Sequence, residues 1–349
     1  MRSSYKSEDV ILLLKDITGL VEPQTTEVRE RLIQSGKHYC EMLPIEYIPT
    51  EKYMEIYKEV LEKYSQKVAD AVGCVSDKII STRGGNVVLV SLARAGIPIG
   101  ILIKHYIKKK YDLDVPHYSI SIIRGKGIDA NAMKYLLDRY SAHQLLFVDG
   151  WIGKGAILNE LKKDLATYEE ISSDIAVLAD PANVTELCGT HEDILIPSAC
   201  LNSTISGLIS RTFLREDIIG KDDFHGAVFY EEMKNSDLSY EFIQAIEKKF
   251  NFKDSISIQE VQGTGLNEVK EIAKKFKIED INFIKPGIGE TTRVLLRRVP
   301  WKVLIDERYR GNAELSHIVR LAQEKRVGIE YYPLNHYKCC GVIKKISDI

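Results

Sequence analysis

LLFVDGWIGKGAI, Leu145 to Ile157, decides the fold. Four apolar residues run into one acid, Asp149, and glycines at 150, 153 and 155 lead into the helical pattern GAILNELKKDLATYEE. A short apolar run that feeds an amphipathic one is the strand-then-helix unit of a parallel α/β sheet. In such sheets ligands lie beyond the carboxyl ends of the strands, so Asp149 stands at a ligand-facing rim. Gly153 and Gly155 permit tight turning and close backbone approach. The free N–H groups of Gly155, Ala156 and Ile157 can then point at one anion, with the helix dipole and Lys154 adding to the attraction. This reading puts a phosphate at the turn and a hydroxyl-bearing or metal-bound group at Asp149. The plain alternative is a glycine turn that merely joins strand to helix.

The same alternation extends on both sides. NVVLVSLARAG is a strand and a small-residue turn carrying Arg94, IPIGILIKHYIKKKY a helix, PHYSISII a strand, NAMKYLLDRY a helix and DIAVLADPA a strand. Two anion-ready strand ends suit a ligand with two phosphate groups. IIRGKGID, with Arg124 and Lys126 bracketing Gly125, reads as a surface loop that is either solvated or able to close over a ligand. The chain up to about Gly73 reads as mostly helical, from the capping-box-like Ser7 of SEDVILLLKDI through EKYMEIYKEVLEKYSQKVADAV. Ser198 to Lys234 is irregular and suits either a hood over the sheet or an extended carboxy-terminal layer of it. A second α/β unit starts near Phe252 and suits a compact α/β/α sandwich of about 100 residues. The expected division is 1–250, with a helical extension over 1–73, and 251–349.

Composition is that of an ordinary globular protein, with 44% hydrophobic and 28% charged residues. The start, MRSSYKSEDV, is polar and no apolar run is long enough to span a bilayer, so a cytoplasmic location is expected. Six scattered cysteines form no CxxC pair, which suits a reducing compartment and buried thiols. From Asn251 onward there are 18 Lys and Arg against 13 Asp and Glu, within a chain of net charge −2. A basic tail on an acidic body points to a polyanionic partner for the tail alone. His105, His117 and His143 are expected at the surface or as caps.

SLARAG and LLFVDGWIGKGAI resemble the pyrophosphate loop and the phosphoribosyl diphosphate (PRPP) motif of type I phosphoribosyltransferases. Tyr5 to Tyr230 is similar to phosphoribosyltransferase-like proteins of tellurite-resistance operons, a family also labelled "cysteine protease StiP", through SIIRGKGID, FVDGWIGKGAI, GLISRT and DFHGA. The resemblance implies that Ala93, Arg94, Ala95 and Gly96 meet pyrophosphate. It also implies that Gly153, Lys154, Gly155, Ala156 and Ile157 cradle a 5′-phosphate, and that Asp149 and Gly150 face the ribose. Arg94, Arg124, Lys126 and Asp149 would carry the chemistry. Mg²⁺ would bind through the substrate, with Asp149 as its one protein contact. Most type I enzymes have two adjacent acids where this chain has Asp149-Gly150. Loss of one charge-assisted contact costs about 1.5–3 kcal/mol.

IKPGIGETTRVLLRRVPWKVLID resembles the L7Ae/Pelota RNA-binding family, with YYPLNHYKCCG as its second loop. The resemblance implies contact with structured RNA through Gly287, Gly289, Glu290, Arg293, Arg297 and Arg298, although Gly289 stands where asparagine is usual. A structural sandwich whose basic helix makes homodimer contacts is the alternative. The implied activity is PRPP-dependent, pyrophosphate-releasing glycosyl transfer to an unknown acceptor, making or processing a nucleoside-like metabolite under tellurite-type stress. Two other readings stand beside it: a non-catalytic PRPP-sensing RNA regulator, and a cysteine protease. His38-Tyr39-Cys40 holds the residue types for a protease, though chain neighbours seldom face one another productively.

Overall fold

The computed structural model describes residues 1–344 except 47, 169 and 254–261; the side chains at 26, 27, 30, 34 and 297 also lie outside the described set. Six parallel strands form the main sheet: β1 (Ile11–Leu12), β2 (Val88–Leu92), β3 (His117–Ile120), β4 (Leu145–Trp151), β5 (Ile175–Ala179) and β6 (Cys188–Thr190). Their spatial order is β1-β3-β2-β4-β5-β6. The chain leaves β2 for β3 on one side and then crosses to β4 on the other. The strand order therefore reverses between β2 and β4, and the crevice beyond their carboxyl ends is the switch point of the sheet.

Both faces are covered, which is why the strands read as unbroken apolar runs. Val88, Val90, Leu145, Phe147, Ile175 and Val177 pack on α4 (Ala130–Leu137) and α5 (Ala156–Leu165). Leu89, Leu146, Val148, Ala176 and Leu178 pack on α2 (Glu51–Arg83) and α3 (Gly96–Tyr111). A shorter helix, α1 (Thr26–Gln34), precedes them, and α6 (Ser239–Glu247) packs on α2 and α3.

Two expectations for the amino-terminal region change. SEDVILLLKDI is not helical: Ile11–Leu12 adds to the sheet edge and Lys15–Asp16 pairs with Gly226–Ala227. Val10, Leu13, Leu14 and Ile17 are all buried, so this block has no polar helix face to give to water and tertiary packing overrides its helical pattern. The helix that follows runs past Gly73 to Arg83. Gly73 ends nothing; it lets the Tyr106 hydroxyl approach to 3.0 Å from where a Cβ would sit.

The carboxy-terminal unit has a mixed sheet of β7 (Ile284–Pro286), β8 (Pro300–Ile305), β9 (Gly328–Tyr331) and β10 (Cys339–Ile343), in the order β7-β10-β8-β9. CCG of the expected second loop thus enters an inner strand. One face packs on α7 (Gly265–Phe276), the other on α8 (Ile288–Arg297) and α9 (Ser316–Glu324). The apolar core of the main sheet continues without a break into α8, α9, Val303 and Ile305. The tyrosine hydroxyls of α2 reach across the junction, Tyr53 to the Leu296 carbonyl at 2.5 Å and Tyr64 to that of Glu314 at 3.1 Å.

Candidate functional site at the domain junction

The two glycine turns singled out in the sequence meet at the switch point. Gly96 packs so tightly that an added Cβ would lie 2.4 Å from the Val148 carbonyl, which sets the start of α3 against the end of β4. The Ala93–Arg94 peptide is cis. The Arg94 guanidinium donates to the Ile209 carbonyl at 2.9 Å and to Asn202 Oδ1 at 3.2 Å, with Glu46 at 4.0 Å. Gly155 caps α5 at φ 83°, and nothing lies within 4 Å of where its Cβ would project. Among the described residues no hydrogen bond takes the N–H groups of Lys154, Gly155, Ala156 or Ile157. Four successive amides at a helix start are therefore available to an anion.

Asp149 accepts from the N–H of Gly150 at 2.7 Å, and among the described residues no cation is hydrogen-bonded to it. Burial pushes its carboxyl up to about 6; the Gly150 N–H and Arg293 oppose the shift, while Glu290 adds to it.

Lys154 departs from its expected role. Its ammonium donates to the carbonyls of Ile281 at 2.6 Å and Ile284 at 3.1 Å, so it pins the carboxy-terminal domain rather than waiting for phosphate. Burial, with Lys285 and Arg124 nearby, pushes it down to about 8. Arg124 and Lys126 lie on an exposed loop whose Gly125 N–H donates to Glu160 at 2.9 Å. The Arg124 guanidinium bonds Asn282 Oδ1 at 3.1 Å and its own N–H donates to the Tyr39 hydroxyl at 3.0 Å. Arg211 stacks over Tyr39 at 4.5 Å, and burial with the neighbouring Arg29 and Arg94 pushes it down to about 10.

The expected RNA face is turned inward. Gly287 and Gly289 are buried, and together with Glu290 they line a cleft shared with Trp151, Gly153 and Asp193. Arg293 lies 5.2 Å over the Trp151 ring and bonds Glu290 at 3.2 Å. The Tyr337 hydroxyl donates to the Gly153 carbonyl at 2.6 Å. The physical reason is the shared core: once α8 docks, the turn that begins it must face the main sheet. Arg298 remains exposed, and the Arg297 side chain lies outside the described residues.

Thiol contexts also differ from expectation. His38 Nε2 donates to the Arg124 carbonyl at 3.1 Å, so Nδ1 is the acceptor, 2.9 Å from the Cys40 sulfur. The neighbours do face each other, although Cys40 is fully buried and burial pushes its thiol up. Cys188 lies 3.6 Å from His191 Nε2, and His191 Nδ1 donates to the Asp180 carbonyl at 2.9 Å. Burial pushes the Cys188 thiol up to about 12. The Cys-x-x-His spacing was the signal available for that pair. His105 and His117 are not surface caps: His105 bridges Asp9 and Glu247, and His117 is buried between Ser91 and the Asp9 carbonyl.

Residues 3–247 match the family described as "Tellurite-like stress resistance cysteine protease StiP". The chain belongs to the StiP family. The protein named "Cysteine protease StiP" from Acinetobacter baylyi (strain ATCC 33305 / BD413 / ADP1) is 36% identical over 370 residues, spanning 99% of this chain and 94% of that protein. Residues 263–345 match the PELOTA RNA binding domain, so this StiP-family chain carries that domain at its carboxyl end. Solved structures give fainter likenesses. A hypoxanthine-guanine phosphoribosyltransferase from Bacillus anthracis overlaps 35% of this chain and 71% of its own, at 17% identity and a TM-score of 0.27. A Helicobacter pylori xanthine-guanine-hypoxanthine phosphoribosyltransferase overlaps 37% and 76%, at 18% identity and a TM-score of 0.24. Scores of that size carry no weight of their own. Among the described residues no helix is long and apolar enough to cross a membrane.

Proposed function

We propose that the protein binds a ribosyl diphosphate such as PRPP at the switch point. With pyrophosphate leaving, it transfers the sugar to a small acceptor and so makes or processes a nucleoside-like metabolite in stress resistance. The observation that carries this reading is the run of unclaimed amides, Lys154 to Ile157, five residues past a desolvated carboxylate at a strand end. The amides hold the terminal phosphate, and Asp149 accepts from the ribose hydroxyls. Arg94 and the loop cations Arg124 and Lys126 stabilise negative charge as it grows on the leaving group.

Mg²⁺ fits this arrangement through the ligand's own oxygens. Among the described residues no three His, Cys, Asp or Glu side chains gather, and Asp149 is the carboxylate that would hold the ion. When bound, it supplies charge neutralisation on the diphosphate. The RNA partner is proposed for the outer basic face at Arg298, because the inner turn is covered.

Calorimetry with magnesium and PRPP, followed by pyrophosphate release across an acceptor panel, tests the reading. Heat and release are expected. No heat at millimolar PRPP ends the reading, and heat without release across the panel gives the sensor instead.

The contact between Cys40 and His38 favours a second reading, thiol hydrolysis, in line with the relative's name. His38, oriented by the Arg124 carbonyl, would take the thiol proton. Retention of peptidase activity by Cys40→Ser removes that reading.

A further inference from the structure

We infer that the carboxy-terminal domain carries a stacking platform for unpaired RNA bases on its outer side, formed by Trp301 and Phe276 with the Lys302 ammonium against both rings. The inference rests on the reading that this domain binds RNA, and it places the contact on the sheet face opposite the glycine turn that opens α8. That turn's face is closed, because α8 and α9 share the apolar core of the main domain. The other face carries α7, whose last residue is Phe276.

Trp301 owes its position to a break in strand pairing. Strict alternation along β8 would put it with Val303 and Ile305, which pack toward α8 and α9, while Leu304 packs toward α7. The register shifts between Pro300 and Lys302, and a shift of this kind re-aims the side chain it frees. The indole lies edge-to-face with Phe276, ring centroids 6.3 Å apart, and Phe276 meets Tyr332 at 5.8 Å. Lys302, held by Glu330 at 2.8 Å, sets its ammonium 4.4 Å from the Phe276 centroid and 4.6 Å from that of Trp301. Trp301 is still 43% exposed and the neighbouring Val299 52%, surface enough for a base to lie on.

Charge identifies the occupant. Lys274, Lys275 and Lys277 flank Phe276 in exposed positions, Arg298 is exposed, and the Lys344 N–H donates to the Val299 carbonyl at 2.9 Å. The acids nearby are Glu330, which Lys302 already pairs, with Glu271 on α7 and Glu279 just past it. Cations around an open indole suit a single nucleic-acid strand, whose phosphates meet the lysines while a base stacks on the ring. A duplex hides its base faces in its own stack, and the match of residues 263–345 to an RNA-binding domain favours RNA over other polyanions.

The test uses the full chain and the fluorescence anisotropy of two labelled probes, a random-sequence RNA of about 12 nucleotides and a duplex RNA of the same length, with thermal melts to confirm that each variant folds. The single strand is expected to bind more tightly than the duplex. Trp301→Ala should weaken single-strand binding about tenfold, and Trp301→Phe should keep it within about threefold, because a flat ring is what the base needs. Arg298→Gln should cost less and make the salt dependence shallower by about one unit of slope. If wild-type protein binds the single strand and Trp301→Ala binds it as tightly, the platform is overturned while the RNA reading stands. Preference for the duplex overturns it too, as does a change of oligomeric state in Trp301→Ala with RNA affinity unchanged, which makes the patch a contact between copies of the chain. If wild-type protein binds neither probe, both readings fall.

Discussion

Two strand-glycine-helix turns face each other across the domain junction, and they end differently. In the turn from β7 into α8, Asp193 reaches over from the main domain and fills the helix start. Its carboxylate accepts from the Ile288 N–H at 3.0 Å and the Lys338 N–H at 2.9 Å. In the turn from β4 into α5 no protein group among the described residues does this, and the amides from Lys154 to Ile157 stay open. One turn shows what such a helix start takes, a carboxylate aimed along the dipole. The other is where the proposed diphosphate would be held. The filled turn is architecture, the open one is the proposed ligand site, and the two aspartates beside them can be told apart by experiment.

Asp193→Ala should have the largest effect. It leaves two buried N–H groups without acceptors, a cost of about 2–4 kcal/mol, seen as a melting point lower by several degrees, with partial recovery in Asp193→Asn. Loss of PRPP binding without loss of stability would reverse the roles assigned to the two turns. Asp149→Asn should do the opposite. Magnesium-PRPP affinity should fall about 10- to 100-fold in calorimetry, while the melting point at pH 7 holds or rises, because a desolvated charge is removed. A drop in melting temperature equal to that of Asp193→Ala would make Asp149 a structural residue.

A third prediction separates the cleft from the distant amino-terminal knot by pH. Burial alone would push His105 down, but hydrogen bonds with Asp9 and Glu247 raise it to about 9. A raised histidine stabilises the fold fully below its unfolded value of about 6.5, and that contribution is lost as pH rises through about 9. Denaturation midpoints should therefore decline between pH 7 and 9, and His105→Gln should flatten the decline. Ligand affinity should instead weaken as pH falls through about 6, where Asp149 takes up its proton, and Asp149→Asn should lose that dependence. The smallest effect is expected for Cys40→Ser, under threefold on PRPP binding, with slow thiol labelling because burial raises the thiol pKa. A larger loss would move the chemistry from the amide turn to the His38–Cys40 contact.

Local sequence reached far into this molecule. LLFVDGWIGKGAI showed the strand, the rim acid and the turn, because a buried parallel strand must be apolar throughout and a tight turn needs residues without side-chain clash. The alternation around it fixed the α/β class. What failed did so through contacts between distant segments. VILLL joined a sheet edge instead of a helix, Gly73 made room for Tyr106, and Lys154 spent its ammonium on carbonyls more than 120 residues away.

The residues themselves determined that an anion-ready helix start follows a lone carboxylate, since both depend on near neighbours in the chain. Only the tertiary structure decided which of the two such turns is sealed by Asp193 and which is left open. It also decided that Glu290 lines the junction cleft and that Arg293 lies over Trp151. Docking of α8 on a continuous apolar core fixes that orientation, and burial of nonadjacent surfaces leaves no mark in the local pattern.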